Sequence, residues 1–221
     1  MPWTSSFFLL KQRSFQNEAR VFSRPEEKVD FFGTVKVYQI RRIDGKTMKT
    51  PIRLTWTVDV DDALLHPLRE SLGAIFGCPV QAGGSFAVLP EEFHAGRRQY
   101  SASAILRRLR PLRKHGQYLL AVTGDDLFAS GLNFVFGEAD AKAGCAIISL
   151  ARLQAPYLGF PLTSERLLRR TLIEAVHEVG HLQGLGHCPR TSCVMHFSNS
   201  LADTDRKAPD FCSSCREALP P

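Results

Sequence analysis

The residues able to do chemistry crowd into one stretch, His177-Glu178-Val179-Gly180-His181-Leu182-Gln183-Gly184-Leu185-Gly186-His187-Cys188. On a helix, His177 and His181 stand at i and i+4, so they share a face and can hold one zinc ion. His187 lies six residues further on, which would be roughly 9 Å along the axis of an unbroken helix. Zn–N bonds are only about 2.0–2.1 Å long, so the helix must stop and the chain must turn back. Gly184 sits where that turn is needed, because glycine takes the left-handed conformation that commonly ends helices, and Gly186 adds freedom before the third histidine. Three histidines leave a fourth position for water, the pattern of a catalytic rather than a structural zinc. Glu178 follows the first histidine directly, so its carboxylate can face that water as a general base without being a ligand. A bare His-Glu-x-x-His also occurs in ordinary amphipathic helices; the glycine and third histidine at these offsets make coincidence a poor account of it.

Cysteine supplies a second set of candidate ligands. Of Cys78, Cys145, Cys188, Cys193, Cys212 and Cys215, the last four follow His187 as Cys-x4-Cys and Cys-x2-Cys. In an exported protein such a set would read as disulfides. The apolar run Phe7-Phe8-Leu9-Leu10 is too short for a signal-peptide core, no small-residue cleavage site follows it, and no segment approaches a membrane span. Cytoplasm is therefore the expected location, and in a reducing compartment four thiolates are better read as a zinc site. A four-sulfur tetrahedron is closed to water, so this second zinc would be structural, whereas Cys212-x-x-Cys215 alone would also suit a redox pair or two free thiols. Cys78 and Cys145 sit in apolar surroundings and read as small core residues. The loop from Val194 to Phe211 is expected to return as a flap beside the site, with Met195 as a hydrophobic floor under the zinc. His196 is left out, since a fourth histidine would close the water position, and His66, His94 and His115 have no ligand-like spacing.

These residues need a scaffold. A chain of 221 residues with 44% hydrophobic and 23% charged residues suits one globular domain with a sizeable core. The net charge of +6 is concentrated in Arg107-Arg108, Arg110 and Arg113-Lys114 with His115. Leu106, Leu109 and Leu112 are interleaved with these charges, which favours the solvated face of an amphipathic helix over a nucleic-acid patch. The alternation Ile52, Leu54, Trp56, Val58, Val60 predicts a half-buried strand. Asp61 or Asp62 caps a helix to about Phe76, with Leu64, Leu65, Leu68, Leu72 and Ile75 inward. A strand follows near Ser85–Leu89, then a helix capped by Ser101 or Ser103 and limited by Pro111 and Gly116. The runs Tyr118–Thr123, Leu132–Gly137 and Cys145–Leu150 predict buried strands. A short strand is also expected at Val35–Ile40, within a stretch of 1–48 that reads as an N-terminal arm or extension ahead of a domain spanning 49–221. The last long helix begins near Thr163 or Ser164. Its stripe Leu168, Leu172, Ala175, Val176, Val179 points away from His177 and His181, so one face should seat in the core and the other hold metal toward a cleft. The order of elements implies an α/β to α+β domain, a mixed sheet covered by helices.

The set His177-Glu178-x-x-His181-x-x-Gly184-x-x-His187, then Cys188-x4-Cys193-x-Met195, then Phe211-Cys212-x-x-Cys215, resembles the metzincin metallopeptidases and, within them, the archaemetzincins. Asn133–Gly137 and Ile148–Leu153 also look like the family. The resemblance implies a compact domain with a twisted mixed sheet, an active-site helix and a zinc-bound C-terminal segment. It implies catalytic zinc on His177, His181 and His187, Glu178 as base, Met195 in the Met-turn, and structural zinc on Cys188, Cys193, Cys212 and Cys215. It further implies that the strand near Asn133–Gly137 forms the upper rim of the cleft and pairs with an extended peptide or protein substrate. Phe197 stands where some metzincins carry a tyrosine, so help from a tyrosine at that point is not expected. The function so implied is hydrolysis of peptide bonds; the alternative is a zinc-dependent peptide-recognition module without turnover.

Overall fold

The computed structural model describes residues 50–156 and 161–220. The expected arm at 1–48, with its strand at Val35–Ile40, lies outside them.

Strand β1 (Ile52–Thr57) leads into helix α1 (Asp62–Phe76), which ends at Gly77 in the left-handed region with φ 64°. The Asp61 side chain accepts from the Ala63 N–H at 2.8 Å, a cap whose removal typically costs about 1 kcal/mol. Strand β2 (Val80–Phe86) returns parallel to β1. Two short strands, β3 (Phe93–His94) and β4 (Gln99–Ser101), precede helix α2 (Ala102–Leu109). Strand β5 (Tyr118–Thr123) pairs parallel to β1 on its other side, β6 (Leu127–Phe128) joins β3 and β4 in a small sheet, and β7 (Gly137–Asp140) forms an antiparallel hairpin with β8 (Cys145–Ser149). The main sheet of the described residues runs β2-β1-β5-β8-β7. Helix α3 (Ser164–Leu182) then carries the histidines, and the short helices α4 (Leu201–Arg206) and α5 (Ser213–Ala218) complete the described chain.

This is the mixed α/β architecture expected. Helices α1 and α3 pack on one face of the sheet through Leu68, Leu72, Leu172, Val176 and Val179, against Leu120, Val122, Ala146 and Ile148. Helix α2 covers the other face with Ile105, Leu106 and Leu109 against Leu119, Ala121, Cys145 and Ile147. Each leucine fully withdrawn from water contributes about 1.5–3 kcal/mol. Cys78 and Cys145 are buried core residues as expected, and burial pushes the Cys78 thiol up to about 11.

Several boundaries differ from the pattern reading. β1 stops at Thr57, and Val58, expected inward, is 82% exposed. β1 is not half-buried either: it pairs on both sides and is covered on both faces, so Thr55 and Thr57 are buried with the aliphatics. The second strand lies at Val80–Phe86 rather than Ser85–Leu89. Gly83 is needed within it: a Cβ on that residue would lie 2.8 Å from the Leu54 carbonyl oxygen. The strand expected at Leu132–Gly137 instead begins at Gly137; only Val135 of the preceding run bridges, to Leu127. Leu112 is half exposed because the helix has already tightened into a 3₁₀ turn at Arg110–Leu112.

Candidate active site

Helix α3 begins where the sequence indicated, with the Thr163 side chain accepting from the Arg166 N–H at 3.2 Å. Its end explains how the third histidine arrives. The Leu185 N–H donates to the Gly180 carbonyl at 3.1 Å and the Gly184 N–H to the His181 carbonyl at 3.0 Å. Gly184 has φ 89°. Together these make a Schellman turn, and Leu185 tucks into the core to complete it. The chain reverses, and His177, His181 and His187 each offer a ring nitrogen within 4.8 Å of the others. Of the two glycines, only Gly184 takes a left-handed conformation.

The tautomers follow from hydrogen bonds. His177 Nδ1 lies 2.7 Å from the Val194 carbonyl oxygen, and His181 Nδ1 lies 2.7 Å from the Leu185 carbonyl oxygen. A carbonyl only accepts, so both Nδ1 atoms carry the proton and both Nε2 atoms present lone pairs. Those two Nε2 atoms are 3.0 Å apart. Two lone pairs so close repel unless a cation lies between them. Zn–N bonds of 2.0–2.1 Å at a tetrahedral angle would set such atoms about 3.3 Å apart. The donor set therefore fits a zinc ion. Burial lowers the His177 pKa well below its ordinary value, helped by the positive charge of Lys207 and by His181. Burial likewise lowers His181 and His187, so all three rings are held neutral, the form that ligates metal.

Glu178 is 4% exposed, and burial first, then Glu174, raises its pKa well above the carboxylate range, against the opposing pull of Lys207. Its carboxylate lies against the backbone of the edge strand β7: an ideal Cβ on Gly137 would fall 2.5 Å from Glu178 Oε1. Helix α3 is thus covered on both faces, not open on its metal side as the stripe implied. Exposure is graded across the ligands instead, with His177 buried, His181 half-buried and His187 exposed. The Phe197 ring packs against His187 with centroids 4.8 Å apart, so no tyrosine stands there.

Four thiols converge immediately beyond. The sulfurs of Cys188, Cys193, Cys212 and Cys215 lie within 4.8 Å of one another, and all six cysteines are free of disulfides. Cys188 Sγ and Cys212 Sγ are 3.8 Å apart, about the edge of a tetrahedron built on Zn–S bonds of 2.3 Å. Burial acts to raise the Cys212 thiol, but hydrogen bonds from the Cys215 backbone and the neighbouring sulfurs outweigh it and bring it down to about 7.

Met195 is fully buried, and its sulfur would lie 2.5 Å from a Cβ on Gly180, so the absence of a side chain there seats it against α3. The loop from Val194 to Phe211 does return to the site, but as a packed element rather than a flap, with Thr204 and Lys207 wholly buried against α3. The sequence reading missed this polar seam. Arg170 is fully buried, bidentate to Asp205 at 2.7 and 2.8 Å, and donates to the carbonyls of Leu153 and Ala155. Lys207 Nζ meets Glu174 Oε1 at 3.0 Å. The one available signal was Glu174, which precedes Glu178 by a helical turn on the site-bearing face. His66, His94 and His115 take no part in either cluster of the described residues.

The family model described as Peptidase family M54 matches residues 89–220. An archaemetzincin from Thermococcus kodakarensis is 41% identical over 147 residues, spanning 65% of this chain and 79% of that protein. The crystal structure of an archaemetzincin from Methanopyrus kandleri superposes with a TM-score of 0.69 at 35% identity, covering 80% of this chain and 95% of that one. That of a zinc-dependent peptidase from Methanocorpusculum labreanum gives a TM-score of 0.70 at 33% identity, covering 76% and 100%.

Proposed function

The chain belongs to peptidase family M54, the archaemetzincins, and is a zinc metallopeptidase; from that premise we propose that Glu178 is its general base, working beside a zinc held by His177, His181 and His187. The observation that carries the reading is the pair of Nε2 atoms at 3.0 Å, each with its Nδ1 proton committed to a carbonyl. When bound, zinc supplies a Lewis acid that polarises the scissile carbonyl and makes water acidic enough to react near neutral pH. Glu178 accepts the proton of the attacking water and passes it to the leaving amine nitrogen. Cys188, Cys193, Cys212 and Cys215 hold a second, structural zinc, making two per chain.

The substrate is a peptide or protein segment, and the edge strand β7 gives it a place to lie. The Ser149 N–H donates to the Phe136 carbonyl at 2.8 Å, so Phe136 faces β8. By antiparallel alternation, the Gly137 N–H and C=O turn toward the free edge, beside Glu178. An extended peptide added there would pass the base. The rim is thus Phe136–Ala139 rather than Asn133–Gly137. The peptidase domain is assigned to 49–221, with 1–48 as an N-terminal extension. Among the described residues no helix is long and apolar enough to cross a membrane; the cytoplasm, where thiols stay reduced, suits the cysteine site.

The test is peptide-library cleavage by wild type beside Glu178→Ala. Glu178 is not a proposed ligand, so the variant should keep its fold and both metals while hydrolysis falls on the order of 10²–10⁴-fold. Cleavage at the wild-type rate would remove Glu178 from the mechanism. Peptide binding without turnover by the wild type would favour the recognition-module reading.

A further inference from the structure

Three consecutive carbonyls of the Met-turn each have a partner that bears on the site. The Val194 oxygen accepts from His177 Nδ1 at 2.7 Å, the Met195 oxygen accepts from the Cys188 N–H at 2.8 Å, and the His196 oxygen accepts from Lys207 Nζ at 3.3 Å. The first two are a proposed ligand and the amide next to another. The third is an ammonium with no solvent exposure. Lys207 also meets Glu174 Oε1 at 3.0 Å, and that same oxygen accepts from Thr204 Oγ at 2.9 Å and lies 3.5 Å from Ser198 Oγ. The Lys207 carbonyl is itself held by Arg169 Nη2 at 2.6 Å, so the backbone behind the ammonium is fixed from α3 as well.

A buried ion pair is a poor device for stability, because apolar residues of the same volume often serve as well or better. This pair joins the helix that carries two proposed ligands to the turn that orients one of them. We infer that Lys207 is a positioning residue: through Glu174 and the His196 carbonyl it locks the Met-turn in register with α3, and so sets the orientation of His177 and the approach of His187. The inference rests on the three-histidine reading of the site. Lys207 touches no substrate in this role; it acts through Val194 and Cys188.

The experiment replaces the whole buried polar knot by apolar groups of similar volume, in Lys207→Met/Glu174→Leu/Thr204→Val. Four quantities are compared with wild type: melting temperature, metal content, kcat and KM on one peptide, and the visible spectrum of cobalt exchanged into the histidine site after mild chelation. Positioning predicts a folded variant melting within roughly 5 °C of wild type that still carries metal at both sites. Its cobalt bands should shift, and kcat should fall about tenfold with KM nearly unchanged. A folded variant with the wild-type cobalt spectrum and kcat within about twofold would overturn the inference. If the triple variant does not fold, Thr204→Val is measured next. It removes one of the donors that hold the Glu174 end of the link, so a smaller cobalt shift and a kcat lowered about threefold are expected; if neither changes, Lys207→Met/Glu174→Gln, which removes the ammonium's hold on the His196 carbonyl and keeps the acceptor for Thr204, must show both, and a wild-type result there overturns the inference. Failure of the underlying reading looks different: the wild type itself would take up no cobalt at the histidines or cleave no peptide.

Discussion

An ideal Cβ on Gly137 would meet Glu178 at three atoms, Oε1 at 2.5 Å, Cγ at 2.7 Å and Cδ at 2.8 Å. One methyl group added to the rim strand must therefore displace the proposed base. Gly137 is a strand glycine without positive φ, so Gly137→Ala carries no backbone penalty, but Glu178 is buried and overpacking against it should cost on the order of 1–3 kcal/mol. Activity should suffer, because a 1 Å misplacement of a reacting group can cost about 10²-fold. The expected outcome is a folded variant with a melting temperature lowered by several degrees, unchanged metal content and kcat lowered on the order of 10–10²-fold; a wild-type kcat would show that Glu178 tolerates the shift. None of this was legible in the sequence. Phe136-Gly137-Glu138 looks like the end of an apolar run, and nothing local says that the glycine faces a carboxylate some forty residues ahead. His177, Glu178, His181 and His187 could be read directly, because metal geometry leaves few spacings that work.

Helices were the most legible elements, and the reason is their start and stop chemistry. Asp61, Ser101 and Thr163 each accept from a backbone N–H at the start of their helix, as their side chains permit. Strands were less legible. β2 carries two glycines and β7 reads Gly-Glu-Ala-Asp, so neither shows apolar alternation, and each is an edge of its sheet. The Schellman turn at the end of α3 makes its own prediction. A Cβ on Gly184 would touch nothing within 4 Å, so a substitution there is opposed by conformation alone, at φ 89°. Gly184→Val should lower stability by about 1–2 kcal/mol and weaken metal binding by the histidines, because the same turn delivers His187 and presents the Leu185 carbonyl to His181. Denaturant melts and zinc titration of the stripped protein measure the two effects separately. Full zinc affinity in a destabilised variant would show that the turn terminates the helix without aiming the ligand.

Across the whole molecule, the two proposed metal centres share a backbone. His187 and Cys188 are adjacent, and the Cys188 N–H is tied to the Met195 carbonyl at 2.8 Å. The sequence made this adjacency plain. It did not show that Arg170, Lys207 and Glu174 are buried, with Asp205 partly buried against Arg170, since the run Asp-Thr-Asp-Arg-Lys has the composition of a solvated surface. Only a partner distant in sequence makes such burial affordable. Freshly purified, reduced protein should carry two zinc ions per chain, and mild chelation should leave about one, since closed thiolate sites hold metal tightly. Elemental analysis reads both numbers. Cys212→Ser touches none of the histidines, yet it should weaken zinc at the histidine site and lower activity, because structural zinc is worth an apparent ~10–16 kcal/mol in small metal-folded peptides. Titration of the histidine site under circular dichroism checks this; unchanged affinity and activity in a folded variant would separate the two centres.

The graded exposure of the three histidines also bears on kinetics. With His177 buried, His181 half-buried and His187 exposed, a zinc held by the three rings would be reached from the His187 side. Such an ion would part from His187 first, because α3 carries His177 and His181 whereas only the turn after Gly184 carries His187. The residence time of the metal would then follow how readily the segment from Gly184 to His187 moves aside, and a bulky peptide lying across it would prolong that time.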